Sequence, residues 1–268
     1  MVGLSKKSQE LITQIGCVIE QYGTMTVRQV YYQLVTQGYD YRQVAYGLAK
    51  ARELGLVNLN RIIDRSRPTY GMDTWENPAE VLDYYKKYYQ LDYWADEQIK
   101  VEIWTEKDAL SQILYEEAAR FRVPVRVTRG FLSISNQHAW SNENNVILYF
   151  GDFDPSGLCI DFSLSNNVYL EYAELHRIAL TPEQLDQYDL PSVPVKANDT
   201  RSKDYVKQYG NRGWELDALN PMVLRILVKN SIEQYITFDL KQKMEKEAGH
   251  RLDFDELAQA YKEATRDE

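Results

Sequence analysis

Two apolar runs in this chain end on acids. "VEIWTEKD" leads from Val101 through Thr105 to Glu106 and Asp108, and "NVILYFGDFDPSG" leads from Asn145 through Phe150 to Asp152 and Asp154. Alternate residues of extended backbone point the same way, so Asp152 and Asp154 converge. Carboxylates brought together repel, and burial raises their pKa values unless a cation compensates. A hard divalent ion with oxygen ligands answers that need, and Mg²⁺ keeps several waters and shares itself with a substrate phosphate. The ends of these two runs therefore read as a metal seat. A plainer use of the same residues is structural: Asp152 caps a turn and Asp154 caps a helix that begins at Pro155.

The elements that must position these acids follow from periodicity. Beyond Gln98, strand-like and helix-like segments alternate: "IKVEIWTE", a helix from Asp108 to about Phe121, "VPVRVTRG", a helical segment after Ser133, "NVILYFGD", a helix after Pro155, and "NVYLEYAEL". Alternation at this period predicts an α/β domain with a parallel sheet covered by helices. The working site of such a sheet lies at the carboxyl ends of its strands, where both acid pairs stand.

Upstream, Leu11, Ile12, Ile15, Val18 and Ile19 repeat at helical spacing until Gly23. Thr26 caps a second helix with Val30, Tyr31 and Leu34 on its apolar face, ending at Gly38. A third opens on Asp40 and closes near Gly55, and the strand-like "LVNLNRIIDRSRP" follows. Three short helices and a strand predict a winged helix-turn-helix, a DNA-binding architecture. The third helix, bearing Arg42, Lys50 and Arg52, would be the reader, and the wing would carry Arg61, Arg65 and Arg67 to phosphates. Helical hairpins with exposed arginines also occur without any such role. Asn77 and Pro78 then open a bridging helix with Tyr84, Tyr85, Tyr88 and Tyr89 on one face, read as a packing face in preference to a stacking platform for unpaired bases beside Lys86 and Lys87. Four segments result: 1–75 winged helix, 76–97 helical linker, 98–240 sheet domain, 241–268 acidic helical segment.

Composition bounds the rest. The 268 residues carry 44% hydrophobic and 26% charged side chains, ordinary for a soluble globular protein. No run approaches the roughly 18 apolar residues of a membrane span, and the N-terminal stretch lacks a signal peptide's apolar centre, so a cytoplasmic protein, nucleoid-associated in a prokaryote, is expected. Cys17 and Cys159 sit far apart in apolar contexts and read as buried free thiols, and His138, His176 and His250 show no ligand spacing. The net charge of −9 is uneven: nine Lys/Arg face five Asp/Glu through Tyr70, against 22 and 35 beyond it. The basic excess lies with the N-terminal helices, which hints at an anionic partner there.

An acid after one strand and D-x-D after a later one resembles the Toprim domain of topoisomerases, primases and related nucleases. More narrowly, "EKDAL", "TRGF" and "GDFDPSG" look like the Toprim of the topoisomerase VI A subunit and its meiotic double-strand-break relative, where E-K-D-A, G-x-G-Y/F and D-x-D-P-x-G occur in this order. "RQVYY" at Arg28–Tyr32 is similar to that family's R-D-I-Y-Y, with Gln29 in place of its usual acid. The match covers roughly residues 24 to 235, in a chain shorter than a topoisomerase VI A subunit and without an ATPase module. It resembles a stand-alone "mini-A" type found on mobile elements. The resemblance implies Tyr32 as nucleophile, Arg28 beside the scissile phosphate, and Glu106, Asp152 and Asp154 as Mg²⁺ ligands. It further implies double-stranded DNA as substrate, a homodimer pairing each tyrosine with the other subunit's metal site, and a separate ATPase subunit as a possible partner.

The chemistry is consistent with those roles. A phenol with a reference pKa near 10 is protonated at neutral pH, so it needs a cation or base nearby, and Arg28 stands one helical turn before Tyr32. Other classes stay open: a Toprim nuclease using water, a DNA-binding subunit active only with a partner, and a phosphatase of the haloacid-dehalogenase type. The last requires a later lysine and acidic pair that the chain does not offer.

Overall fold

A computed structural model describes residues 4–63, 73–128, 145–165, 174–195 and 202–265. The chain divides into two compact units, one formed by Met1–Arg65 and Ile99–Tyr235, the other by Ser66–Gln98 and Ile236–Glu268. These units group the four segments read from the sequence differently. The N-terminal helices share a unit with the sheet, and the bridging helix shares one with the C-terminal helix.

The first unit is α/β, built on a four-stranded sheet in the order β2-β1-β3-β4 with every neighbouring pair parallel. Its strands are β1 (Lys100–Thr105), β2 (Val125–Val127), β3 (Asn145–Phe150) and β4 (Glu174–Ala179). All six residues of β3 are buried, as expected of a central parallel strand covered on both faces. β1 and β3 pair without offset from Lys100↔Asn145 to Thr105↔Phe150, so both end at the same level. This register puts Glu106 beside the Gly151–Asp152 turn. The final strand differs from expectation: it covers Glu174–Ala179, while most of "NVYLEYAEL" and the helical segment after Ser133 lie outside the described residues.

One buried acid in β1 escapes a pattern reading. Glu102, on the sheet interior, accepts a two-pronged bond from Arg126 of β2, Nε at 2.5 Å and Nη2 at 2.9 Å, and another from Trp104 Nε1 at 2.9 Å. The fork holds the short edge strand against β1.

The N-terminal helices are α1 (Lys6–Tyr22), α2 (Val27–Leu34) and α3 (Tyr41–Glu53). The apolar residues expected on the first two pack into one core with Val44, Leu48 and Ala51 of α3. Thr26 and Asp40 each form a capping box with the glutamine three residues on, and Gly38 ends the second helical segment in the left-handed conformation. Gln29, where the sequence departs from an acid, is thus a buried capping residue. The expected strand over 56–68 is not formed in its described part: Leu59–Arg61 make a 3-10 turn closed by Asn58, and Ile62 pairs only through an isolated bridge to Met25. Of the thiols, Cys159 is half-buried, but Cys17 is exposed because it falls on the solvent face of α1.

Beyond the sheet's first helix α5 (Asp108–Ala118) come α6 (Pro155–Ser165), α7 (Pro182–Gln187), α8 (Ser202–Tyr209) and α9 (Pro221–Glu233). Arg225 of α9 ties the N-terminal helices to this body, donating to the carbonyls of Tyr22 and Thr24 at 3.2 and 3.1 Å.

The second unit pairs α4 (Pro78–Tyr88; α10, Leu240–Ala264, is its partner) through Lys86–Asp255 at 2.6 Å and Tyr89 Oη–His250 Nδ1 at 2.6 Å. The tyrosine face divides: Tyr89 packs on Phe254, while Tyr84, Tyr85 and Tyr88 cluster with Trp75 at the surface. No helix among the described residues is long and apolar enough to cross a membrane.

Removing one partner of a buried ion pair costs about 3 kcal/mol because the remaining charge is left uncompensated. Arg126→Leu is therefore expected to lower the urea-unfolding free energy by about that amount, and the double variant Glu102→Leu/Arg126→Leu to regain part of the loss. A single-variant loss under ~1 kcal/mol would show that the fork does not stabilise the sheet edge.

Candidate functional site

The aligned ends of β1 and β3 create the site. Glu106 follows β1 directly, and its Oε1 accepts the backbone N–H of Asp152 at 3.2 Å. Asp152 and Asp154 leave β3 on a turn closed by a third segment, residues 213–217. There Phe153 and Trp214 exchange both backbone hydrogen bonds at 2.9 Å, and Leu216 N–H donates to Asp152 Oδ1 at 2.7 Å. Gly157, in the first turn of α6, lets that helix approach the loop: a Cβ there would lie 2.2 Å from the Asp152 carbonyl oxygen. Arg177 of β4 closes the far side, bonding Asp161 at 2.9 Å and the Leu180 carbonyl at 2.9 Å while lying over the Tyr149 ring.

The predicted acids are used unequally. Asp154 Oδ1 accepts the Gly157 N–H at 2.7 Å, so it caps α6. Asp152 faces Lys107, whose Nζ lies 3.0 Å from Asp152 Oδ1, 2.6 Å from Asp217 Oδ2 and 3.4 Å from Glu215 Oε2. Lys107, Glu215 and Asp217 were not singled out by sequence reasoning. Lys107 stood inside the quoted "EKDAL", and the acids of "WELDAL" share the i, i+2 spacing of D-x-D, which was the available signal.

Helix α2 meets this cluster. Thr26 Oγ1 donates to Asp217 Oδ1 at 3.3 Å, and Arg28 Nη1 to Glu215 Oε2 at 2.5 Å. Tyr32, one turn further, stands in the field of Glu215, Arg28, Lys107 and Asp217 of its own chain. The two predicted groups, "RQVYY" and the strand-end acids, thus come together within one unit. A cavity of about 380 Å³ opens beside them, walled by Arg28, Lys107, Asp152, Asp154, Ser156 and Glu215. The basic residues expected on the third helix and wing are dispersed: Arg42 and Arg61 are exposed, Lys50 pairs with Glu53 at 2.6 Å, and Arg52 is half-buried. Arg65 and Arg67 lie outside the described residues.

The charges do not balance. Burial works against the Lys107 ammonium, but Asp217, Asp152 and Glu215 outweigh it and hold the lysine well above its ordinary value. Burial, only partly offset by Lys107 and the Leu216 N–H, pushes Asp152 up to about 7. Burial raises Glu106 too, with Asp154 adding to it against the Asp152 N–H, Lys107 and Arg177. Burial and Glu215 hold the Tyr32 phenol up, against Arg28 and Lys107. Burial is the main cause of both raised carboxylates, with neighbouring negative charge adding to it. Among the described residues no three acidic, histidine or cysteine side chains converge as a ready-made metal cage. The donor set of Glu106 and Asp152 nonetheless fits Mg²⁺, which binds through one or two carboxylates and completes its shell with water and phosphate. No family model matches the chain, and no curated protein matches it.

Two outcomes follow. A carboxyl raised to about 7 in the fold, against roughly 4 unfolded, stabilises the protein while protonated, and that contribution disappears as pH rises through about 7. Thermal midpoints in chelator from pH 5 to 8 should fall more steeply for the wild type than for Asp152→Asn; parallel curves would remove Asp152 as the cause. Gly157→Ala, which drives a Cβ into backbone, should cost about 1–3 kcal/mol in chemical denaturation, and a neutral result would mean the loop accommodates it freely.

Proposed function

We propose that this chain is a Mg²⁺-dependent DNA-cleaving or DNA-topology enzyme of the topoisomerase VI A type, with a winged-helix region over α1–α3 and a Toprim-type sheet. The observation that carries this reading is the meeting of α2, with Arg28 and Tyr32, and the carboxyl edge of β1 and β3, with Glu106 and Asp152, in one unit. Together they bring a phenol, a cation and carboxylates into one unit, which is what phosphodiester transfer to tyrosine needs.

In this reading the Tyr32 oxygen attacks phosphorus, its bond to phosphorus forms as the bond to the departing sugar oxygen breaks, and the phenol proton leaves while the sugar oxygen is protonated from solvent. Arg28 orients the phosphate and stabilises charge on it. Glu106 and Asp152 would hold Mg²⁺, which when bound supplies positive charge to the phosphate and the departing oxygen. Asp154 supports the seat by fixing the start of α6. Cutting both strands needs two tyrosines, hence a homodimer. Because Tyr32 and the strand-end acids of one chain already lie in one unit, each tyrosine would work with its own chain's acids, in place of the other subunit's that the resemblance implies. A separate ATPase subunit would be required only for directed strand passage.

A second reading keeps the metal seat and uses water as the nucleophile. It is favoured by the phenol of Tyr32, which burial and Glu215 hold away from ionisation. One experiment separates the two. Wild-type protein, labelled duplex and Mg²⁺, trapped with detergent, should give a covalent adduct that protease removes, reduced at least ~100-fold in Tyr32→Phe and absent with chelator. Cutting without an adduct, unchanged in Tyr32→Phe, would establish the water reading; an adduct surviving that substitution would exclude Tyr32.

A further inference from the structure

We infer that Arg28 and Lys107 form a seat for a nucleic-acid phosphodiester, and that Glu215 occupies this seat in the free protein as a carboxylate stand-in for the phosphate. The inference rests on the DNA-cleavage reading and extends it by assigning a second cation and an internal competitor to the site.

A single oxygen of Glu215 bridges both cations, 2.5 Å from Arg28 Nη1 and 3.4 Å from Lys107 Nζ. One oxygen shared between a guanidinium and an ammonium is what a non-bridging phosphate oxygen adopts in a cationic clamp. Arg28 and Lys107 are also the two side chains common to the walls of neighbouring cavities of about 380 and 370 Å³. The bridged pair therefore stands where two open spaces meet, as a backbone running from one to the other requires.

The surroundings make Glu215 exchangeable while its neighbours stay fixed. The Arg28 side chain is 48% exposed and Glu215 24% exposed, against 3% for Asp217. An ion pair as open as Arg28–Glu215 contributes little to stability, so a phosphate replaces it at small cost. Lys107, 14% exposed, keeps Asp217 and Asp152 when Glu215 leaves, so no buried ammonium is stranded. The backbone on either side of Glu215 stays anchored by the Phe153–Trp214 bridge and the Leu216–Asp152 bond, which confines the exchange to one side chain. Asp152, Asp154 and Asp217 remain around the seat and oppose an incoming anion, and Glu215 adds the charge that lies directly on the cations. A free chain of net charge −9 is thereby kept off non-specific polyanions until a duplex presents a phosphate at this point.

The test compares full-length wild type, Glu215→Gln, Arg28→Gln/Glu215→Gln and Glu233→Gln for binding to a fluorescein-labelled duplex by anisotropy, in chelator and across a salt series. Glu233, on α9 beside Lys229, controls for removing one negative charge elsewhere. E215Q should bind about fivefold tighter than wild type, with a log–log salt slope steeper by about 0.9. The gain should vanish in the double variant and be much smaller in E233Q. Equal affinities for E215Q and E233Q, or a gain that survives loss of Arg28, overturn the seat. Absence of duplex binding by every protein overturns the seat and the DNA reading together. Tighter binding by E215Q with no Tyr32 adduct under any condition keeps the seat and removes tyrosine cleavage alone. Thermal melts accompany each variant, and if E215Q does not fold, Glu215→Ala supplies the same two readouts.

Discussion

The site depends on one buried ammonium. Lys107 follows β1 by two residues and is held by carboxylates from two other stretches, Asp152 after β3 and Asp217 with Glu215 in the 213–217 segment. Without that cation, burial would set these acids against one another, in opposition to the backbone bonds that bring their segments together. With it, three remote pieces of chain share a single charge centre. The cost stays visible in Asp152, which burial still pushes up to about 7 beside a lysine.

The same centre couples the N-terminal helices to the sheet. Arg28 reaches it through Glu215, Thr26 through Asp217, and Arg225 holds the end of α1 from the opposite side. These are polar links, and two of them are partly open to solvent. The core of α1–α3 is built from its own apolar residues, and these polar links join it to the sheet. A helix attached in this way keeps its orientation in the free protein while leaving Arg28 within reach of an anion.

The strands that carry the acids were legible because central parallel strands read as mainly apolar runs, and the two runs end in the acids that the register then aligns. The caps were legible because Thr26, Asp40 and Asn77 act locally. What a linear reading missed is non-local. Glu215 and Asp217 gain meaning only when the Phe153–Trp214 bridge brings them to β3, and Glu102 looks like an error in an apolar strand until Arg126 arrives from its neighbour. Asp154 had two readings from sequence, ligand and helix cap. The cap bond is formed through Oδ1, which by itself does not decide against the ligand role. The strand expected near Leu56 failed because asparagines at 58 and 60 favour a turn over a ladder.

The second unit draws its two helices from opposite sides of the sheet sequence. α4 ends at Tyr88 and α10 begins at Leu240, about 150 residues later. During synthesis at roughly 5–20 residues per second, α4 is made some 8–30 s before its partner begins. For that interval Tyr89 lacks His250 and Phe254, and Lys86 lacks Asp255, while the whole sheet is made and can close. α10 completes a helix made long before it. A chain cut short ahead of Leu240 therefore loses that helix's partner.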